Sequence, residues 1–347
     1  MAASLQRKHS PGANPTIALI GCGAIAESFY LPSLHNLREL THEIVLVDLN
    51  MDRARKVGKM FGINRFEDDY QSLIGKVDGA IVALPHHLHF PVSKELLARG
   101  IHVLTEKPLA EGLTEAKILV ELASTNHVTI SVNNTRRLMP SYKNAKELLI
   151  NGTIGPLERI EYIDGNEFNW PAQSGFYFDS KGSHRGILMD IGSHVVDLVC
   201  WWLDGKPELV SCENDSFGGS ESVCSLTLAK GDCTISVRLS RLHRLENTYK
   251  IVGKQGVIEG GVYDFENVNL RTGDRNQKLR IPFNKSNQPS RMVIDNFVAV
   301  IRGDRKPIVA GEDVLDSIEI IDRAYETARR FEMPWYDTTK FLNDARL

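Results

Sequence analysis

The chain has 347 residues, of which 42% are hydrophobic and 24% charged, and its formal net charge is −3. This composition is typical of a folded globular protein long enough for two domains, and it disfavours nucleic acid or an anionic membrane surface as a partner. No apolar run reaches the roughly 20 residues of a membrane helix, and five cysteines without C-x-x-C spacing argue against disulfides and structural zinc, favouring a cytoplasmic location.

The N-terminal part of the chain begins with a charged segment and then alternates apolar with amphipathic stretches. Residues 1–14 contain proline and glycine but no apolar run, and they predict a flexible tail instead of a signal peptide. The alternation that follows is typical of βαβ units and predicts a doubly wound parallel sheet in a domain of residues 15–136. The predicted strands are Thr16–Ile20, Glu43–Val47, Asp78–Leu84, His102–Glu106 and Thr129–Asn133. The predicted helices between them include Asp52–Phe61, Phe90–Arg99 and Thr114–Ser124.

The remaining residues, 137–347, predict an α+β domain with an open, mainly antiparallel sheet. A helix at about Tyr142–Ile150 stops at Asn151-Gly152, and two helices, roughly Ser290–Arg302 and Asp313–Phe331, close the chain. The predicted strands are Leu157–Phe168, Ser222–Ala229, Thr234–Ser240, Thr248–Val252 and Val257–Glu259. Lys230-Gly231-Asp232 has the composition of a tight hairpin turn.

The second strand of this hairpin has one apolar and one polar side. The apolar side carries Cys233, Ile235, Val237 and Leu239, and the polar side carries Thr234, Ser236, Arg238 and Ser240. A polar sheet face is covered either by water or by another subunit. The small hydroxyl side chains favour a subunit, so a homodimer or homotetramer is expected.

A glycine-rich segment, Gly21-Cys22-Gly23-Ala24-Ile25-Ala26, follows the first strand and opens a helix. The spacing G-x-G-x-x-A is that of the Rossmann turn: Gly21 permits the tight turn, Gly23 admits a pyrophosphate, and Ala26 allows close helix packing. Asp48 ends the second strand, near the roughly 20-residue spacing expected of the carboxylate that binds the adenosine ribose, which favours NAD over NADP. The alternative is a glycine turn in an unrelated α/β fold with a chance acid.

Asp190 and His194 lie four residues apart in an otherwise apolar segment. On a helix these positions share a face, and burying two titratable groups there is costly without a use or a partner. Acid–base chemistry is one such use. The alternative is an aspartate that orients a core histidine for structural reasons.

Three further segments carry a family resemblance. They are Ala83-Leu84-Pro85-His86-His87-Leu88-His89, Gly100-Ile101-His102-Val103-Leu104-Thr105-Glu106-Lys107-Pro108-Leu109-Ala110, and the run from Gly186 to Gly205. In this order after a dinucleotide turn, they resemble the signatures of the glucose-fructose oxidoreductase / inositol dehydrogenase / rhizopine-catabolism family. The resemblance spans about Thr16 to Phe331. Two positions depart from it, since many relatives have a small or hydroxyl residue at Leu84 and asparagine at His86.

The resemblance implies a two-domain NAD(P)-dependent dehydrogenase of sugars, cyclic polyols or their derivatives, with a C-terminal sheet used for oligomerisation. By similarity, Lys107 reaches into the active site and Asp190 and His194 complete the catalytic group. The chemistry agrees, because oxidising a secondary alcohol needs a base near neutrality, and His194 suits that role. Lys107 can stabilise a developing alkoxide, and Asp190 is expected to orient the imidazole.

The predicted binding residues fall into two sets. The residues expected to bind the cofactor are Gly21, Gly23, Ala24, Ile25, Ala26, Asp48, Leu84, Pro85, His86, His89, Glu106 and Lys107. The residues expected to bind substrate are Lys107, Asn134, Arg137, Trp170, Asp190 and His194. Trp170 is alternatively a core aromatic. Asp197, one turn beyond His194, either faces the site or is a packing or capping residue. No metal site is expected, because His86, His87 and His89 lack an accompanying thiolate and a usual zinc spacing.

The sequence therefore predicts an NAD-dependent oxidoreductase of a sugar or cyclitol secondary alcohol, in which NADP is the less favoured cofactor. Arginines at 136, 137, 238, 241 and 244 leave an anionic substrate open, although solvated side chains are the plainer interpretation. Two other functions stay open. One is a redox-assisted glycosidase that regenerates its NAD, and the other is a non-catalytic dinucleotide sensor, which has no need of Lys107, Asp190 and His194 together.

Overall fold

The computed structural model describes residues 14–171, 185–216, 219–284 and 288–332, which build one six-stranded and one nine-stranded sheet. Residues 1–13 of the predicted flexible tail, 1–14, lie outside the described residues. Asn14, at the end of that tail, donates a hydrogen bond to the Glu39 carbonyl at 2.7 Å. Within the described ranges, the helices are all too short or too polar to span a membrane.

The strands of the N-terminal sheet are all parallel. They are β1 (Thr16–Ile20), β2 (Glu43–Val47), β3 (Arg65–Glu67), β4 (Gly79–Val82), β5 (His102–Glu106) and β6 (Ile130–Asn133). Their order is β3-β2-β1-β4-β5-β6. The direction in which successive strands are added to the sheet reverses between β1 and β4. This reversal opens a crevice at the carboxyl ends of the strands, where such sheets bind ligands. The predicted doubly wound sheet is confirmed, with β3 as an additional edge strand.

The helices of the described residues are α1 (Leu31–Asn36), α2 (Met51–Phe61), α3 (His86–Ala98), α4 (Leu113–Thr125), α5 (Pro140–Ile150), α6 (Ser193–Leu203), α7 (Pro289–Ile301) and α8 (Leu315–Thr327). One of them, α7, returns to the first sheet, where Val293, Ile294 and Phe297 share a buried core with Ile17 and Leu19. The predicted division at residue 137 assigns α7 to the second domain, whereas its apolar face is buried against the first. A continuous stretch of sequence is therefore not a continuous packing unit here.

The C-terminal sheet is mixed and mainly antiparallel, as the sequence predicts. Its strands are β7 (Leu157–Gly165), β8 (Glu208–Asn214), β9 (Val223–Lys230), β10 (Cys233–Ser240), β11 (Thr248–Gly253), β12 (Gly256–Gly261), β13 (Asn267–Thr272), β14 (Arg275–Arg280) and β15 (Arg329–Arg330). Their order is β14-β13-β12-β11-β7-β10-β9-β8-β15, and the parallel pairs are β7–β10 and β8–β15. The predicted hairpin is formed by β9 and β10.

The two faces of the C-terminal sheet have different surroundings. One face packs against α5, α6 and α8 in a core that includes Tyr142, Val195, Trp202 and Ile320. On the opposite side of β10, Thr234, Ser236 and Arg238 are exposed, and we call this side the open face. Ser240, predicted to belong to the polar side, is buried at the end of β10, because the strand there meets the cleft described below.

Candidate active site

The turn after β1 is shaped to admit a dinucleotide. Gly21 has a φ of 95°, and a Cβ at this residue would lie 2.4 Å from the Ala83 carbonyl oxygen, so only glycine fits. At Gly23 a Cβ would meet no atom within 4 Å, and this glycine lines the cleft. The open space beside Gly23 is where a pyrophosphate approaches the backbone in such folds. Ala26 is fully buried, in keeping with its predicted packing role.

Asp48 lies beside this turn at the end of β2. One carboxylate oxygen accepts a hydrogen bond from the Cys22 backbone nitrogen and the other from the Asn50 backbone nitrogen, both at 2.8 Å. A carboxylate oxygen has more than one acceptor position, so these bonds fix the group without exhausting it. The geometry suits the expected contact with ribose hydroxyls.

The segment after β4 forms the next part of the wall. Leu84, Pro85 and His86 line the cleft, and burial, reinforced by the charge of Lys107, holds the pKa of His86 well below its ordinary value. His89 is instead fully buried, with its ring nitrogens 2.6 Å from the Pro108 carbonyl and 2.8 Å from the Leu84 carbonyl. It supports the wall from behind, which differs from the predicted cofactor contact, because α3 turns its side chain into the protein.

Glu106 ends β5 at the floor of the cleft. Its Oε1 accepts hydrogen bonds from the Tyr30 hydroxyl and the Asn133 amide, both at 2.6 Å. Burial raises the pKa of Glu106, and these hydrogen bonds oppose the rise. Sequence reasoning did not single out Tyr30, which belongs to the π-helical turn Ala26–Tyr30 that follows the glycines and carries no motif of its own.

Lys107, Asp190 and Arg241 meet at the centre of the cleft. Lys107 Nζ lies 2.8 Å from Asp190 Oδ1 and 2.7 Å from the Asp190 carbonyl oxygen. Arg241 Nη2 approaches the other carboxylate oxygen at 3.3 Å. Burial alone would raise the pKa of Asp190, but the charge and hydrogen bond of Lys107, together with the electrostatic contributions of His86 and Arg241, outweigh burial, and the pKa lies below its ordinary value. Asp190 is therefore an anion held by two cations.

His194 reaches the same cleft from the first turn of α6. The segment before it, Leu188–Gly192, forms a π-helical turn, a feature often found at functional sites. The predicted shared face of Asp190 and His194 is present, but Asp190 directs its carboxylate to Lys107 and not to the imidazole. Among the described residues, His194 Nδ1 is buried without a hydrogen-bond partner. Burial, and then the charge of Lys107, hold the pKa of His194 well below its ordinary value, so the ring is neutral.

The C-terminal sheet supplies the opposite wall of a cleft of about 940 Å³. Asp164, at the end of β7, accepts a hydrogen bond from the Tyr263 hydroxyl at 2.6 Å and pairs with Arg136 at 2.7 Å. Burial and the Asp164 charge raise the pKa of Tyr263, which keeps its hydroxyl protonated. The wall residues that sequence reasoning missed as a group are Asp164, Asn166, Glu167, Phe168, Asn169, Ser240 and Tyr263. Their common signal is position at the ends of β7 and β10 or in the loops that follow strands.

Three predicted substrate residues have distinct environments. Trp170 lines the cleft with 41% of its surface exposed, so it is not a core aromatic. Asn134 is buried beside a small cavity behind Lys107, while its neighbours Asn133 and Thr135 line the cleft. Arg137 is buried and forms a two-pronged ion pair with Asp197, with donor–acceptor distances of 2.8 and 2.6 Å.

Arg137 and Asp197 are therefore supporting residues, and the predicted substrate contact of Arg137 is corrected. Its turn directs the guanidinium into the junction between chain segments, where it also donates to the Asp313 carbonyl at 3.0 Å. For the described part of the chain, no group of three or more histidine, cysteine, aspartate or glutamate side chains is arranged to hold a metal ion.

The arrangement combines a dinucleotide turn with a neutral imidazole, a lysine and an anchored carboxylate in one cleft. Comparison with family models agrees with it. The model described as "Oxidoreductase family, NAD-binding Rossmann fold" matches residues 16–134, and the model described as "GFO/IDH/MocA C-terminal domain" matches residues 142–259.

Individual proteins are similar over almost the whole chain. The protein YceM of Salmonella typhimurium is 27% identical over 322 residues, covering 90% of this chain and 97% of its own. KijD10, a 3-ketoreductase from Actinomadura kijaniata solved with NADP and TDP-benzene, is 22% identical with a TM-score of 0.81, covering 93% of this chain and 100% of its own. Levoglucosan dehydrogenase, solved with NADH and levoglucosan, is 18% identical with a TM-score of 0.81, covering 91% and 97%.

Proposed function

Since this chain belongs to the GFO/IDH/MocA oxidoreductase family, we propose that it transfers hydride between NAD and a secondary alcohol or ketone of a sugar, cyclitol or sugar derivative. The observation that carries this proposal is the meeting of Lys107, Asp190 and His194 in the cleft that Gly23 lines. A dinucleotide-binding protein without chemistry would gain nothing from burying a lysine, a carboxylate and an unpartnered imidazole together.

The catalytic roles follow from the protonation states. When bound, the nicotinamide ring supplies hydride transfer. Lys107 has three N–H donors, and Asp190 accepts two of them, which leaves one for a substrate oxygen. Its charge stabilises the oxygen as it becomes an alkoxide. His194, neutral in the cleft, takes the hydroxyl proton in oxidation and returns it in reduction.

Asp190 positions Lys107 and does not orient His194 in this mechanism. The carboxylate receives Lys107 on one oxygen and Arg241 on the other, so the ammonium is held in one place. A preorganised cation stabilises developing charge without the cost of reorganising during the reaction. The mechanism therefore assigns the proton to His194 and the electrostatic stabilisation to Lys107.

NAD is the proposed cofactor because of the charges at the end of β2. A 2′-phosphate beside the Asp48 carboxylate would place negative charge against negative charge. Arg53, the nearby cation on α2, already pairs with Glu27 and donates to the Cys22 carbonyl. Asp48→Ser should raise the kcat/KM ratio for NADP over NAD, and a wild-type preference for NADP would contradict the assignment.

A polyhydroxylated substrate suits the opposite wall. Asp164, Asn166 and Arg244 provide polar contacts, while Trp170 and Tyr263 offer exposed aromatic surface on which a sugar ring can stack. The similar structure solved with levoglucosan supports a small sugar-like substrate class. We further propose that two or more chains associate through the open face of the C-terminal sheet, where hydroxyl side chains permit close approach.

A substrate panel tests the proposal. Sugars, sugar phosphates, nucleotide sugars and inositols are supplied with NAD, and the NADH absorbance is followed, with His194→Ala as the inactive control. We expect NADH to accumulate in proportion to a consumed secondary alcohol. Cleavage of a glycosidic bond without net NADH would indicate a redox-assisted glycosidase. Tight dinucleotide binding without turnover of any panel member would indicate a sensor.

A further inference from the structure

Cys22, the residue between the two glycines of the turn, is held by hydrogen bonds from outside the turn. The Cys22 backbone nitrogen donates to Asp48 Oδ2 at 2.8 Å, and the Cys22 carbonyl accepts from Arg53 Nε at 2.7 Å. Asp48 and Arg53, both from the segment after β2, thus fix Cys22 through its backbone N–H and its carbonyl oxygen. Arg53 is the less obvious of the two, because it belongs to no part of the glycine motif.

Fixing this carbonyl determines the direction of an amide. The Cys22 carbonyl and the Gly23 N–H belong to one planar trans peptide, so they point to opposite sides of it. Arg53 lies on the carbonyl side. The Gly23 N–H therefore points away from Arg53, and Gly23 itself lines the cleft, with free space where a built Cβ meets no atom within 4 Å. In folds of this class, amides of the turn bind the cofactor pyrophosphate.

Arg53 is itself firmly placed. Its backbone nitrogen donates a hydrogen bond to Oδ1 of Asn50, the N-cap residue of α2, at 3.0 Å, and its guanidinium pairs with Glu27. Only 13% of its side chain is exposed. A long cationic side chain loses considerable conformational freedom when it is ordered in this way, so the contacts it makes must offset that cost.

We propose that Arg53 is a positioning residue of the dinucleotide site, which holds the Cys22 carbonyl so that the Gly23 amide faces the cofactor pyrophosphate. The guanidinium acts through the peptide and not by touching the cofactor. The inference rests on the dinucleotide binding in the proposed function and is independent of the substrate and of Lys107, Asp190 and His194. Failure of the substrate proposal would therefore leave it standing.

ADP-ribose binding, measured by calorimetry on the full chain, tests the inference because this ligand contains the pyrophosphate but no nicotinamide. Arg53→Ala should weaken ADP-ribose binding by about 10- to 100-fold, the size expected for losing an oriented hydrogen bond to a charged group. Added ethylguanidine should restore part of the affinity. Arg55→Ala is the matched control on the same helix, since Arg55 stacks over Phe66 at 5.5 Å, and it should bind as wild type.

Arg53→Lys keeps the charge but removes the two-pronged donor geometry. This variant provides the test if Arg53→Ala fails to fold. It should show an intermediate loss of ADP-ribose affinity, with a raised KM for the dinucleotide and an unchanged kcat at saturation. Wild-type affinity in Arg53→Lys would show that charge alone matters and would overturn the inference. A folded Arg53→Ala variant within twofold of wild type would also overturn it.

Discussion

Asp197→Ala tests whether Arg137 supports α6 or binds substrate. Arg137 donates to both carboxylate oxygens of Asp197, and the two side chains are 10% and 1% exposed. Removing one partner from a buried ion pair costs about 3–5 kcal/mol, since the remaining charge stays buried without its counter-ion. Arg137 retains the Asp313 carbonyl at 3.0 Å. We therefore expect the free energy of unfolding to fall by about 3 kcal/mol, the lower end of that range.

The assay is equilibrium unfolding in urea at neutral pH, followed by tryptophan fluorescence and by circular dichroism. The matched control is the double variant Arg137→Met with Asp197→Leu. It removes both charges and should recover most of the lost stability, because well-packed apolar pairs commonly replace buried ion pairs at little cost. Its substrate KM should stay within about twofold of wild type. A loss below about 1 kcal/mol in Asp197→Ala, or a tenfold rise of KM in the double variant, would refute the supporting role.

Three further predictions concern the site and the assembly. The acid limb of the kcat/KM profile for alcohol oxidation should lie below about pH 6.5, because burial and Lys107 lower the pKa of His194 and a base works above its pKa. Lys107→Met should move that limb to higher pH. Gly23→Ala should weaken NADH binding in a fluorescence titration and leave the thermal unfolding midpoint unchanged, whereas Gly21→Ala should lower that midpoint. Unaltered NADH binding in Gly23→Ala would contradict the placement of the pyrophosphate. Light scattering at micromolar concentration should give a multiple of 38.8 kDa, and the monomer mass would refute association through the open face.

The parallel sheet could be predicted closely because its strands carry a strong apolar signal. β1, β2 and β5 have the predicted bounds, since each is a run of five mostly buried residues. β3 could not be predicted in this way, because Arg65–Glu67 is a three-residue edge strand that is only half-buried. β14 could not be predicted either, because its residues are polar and mostly exposed and show no alternation of apolar and polar side chains. The predicted helix to Phe331 ends at Thr327, where the backbone extends into β15.

That Lys107, Asp190 and His194 meet in one cleft could be predicted, but their contacts with one another could not. Lys107 and Asp190 are 83 residues apart, and sequence spacing contains no information on their 2.8 Å contact. The i, i+4 relation places Asp190 and His194 on one face and suggests a mutual hydrogen bond. The π-helical turn and the two cations direct the carboxylate elsewhere. Similarly, the sequence cannot distinguish Asn134, which is buried behind Lys107, from its neighbours that line the cleft.

The turnover number of His194→Ala with saturating NAD and substrate tests the central claim most directly. NADH affinity, measured on the same preparation, verifies that the dinucleotide site is intact, because His194 lies on α6 and apart from the glycine turn. The account predicts a fall in turnover of about 10²–10⁴-fold, the range typical of losing a positioned acid–base group, with little change in NADH affinity. Turnover within about tenfold of wild type would contradict the assignment of His194 as the proton-transfer residue.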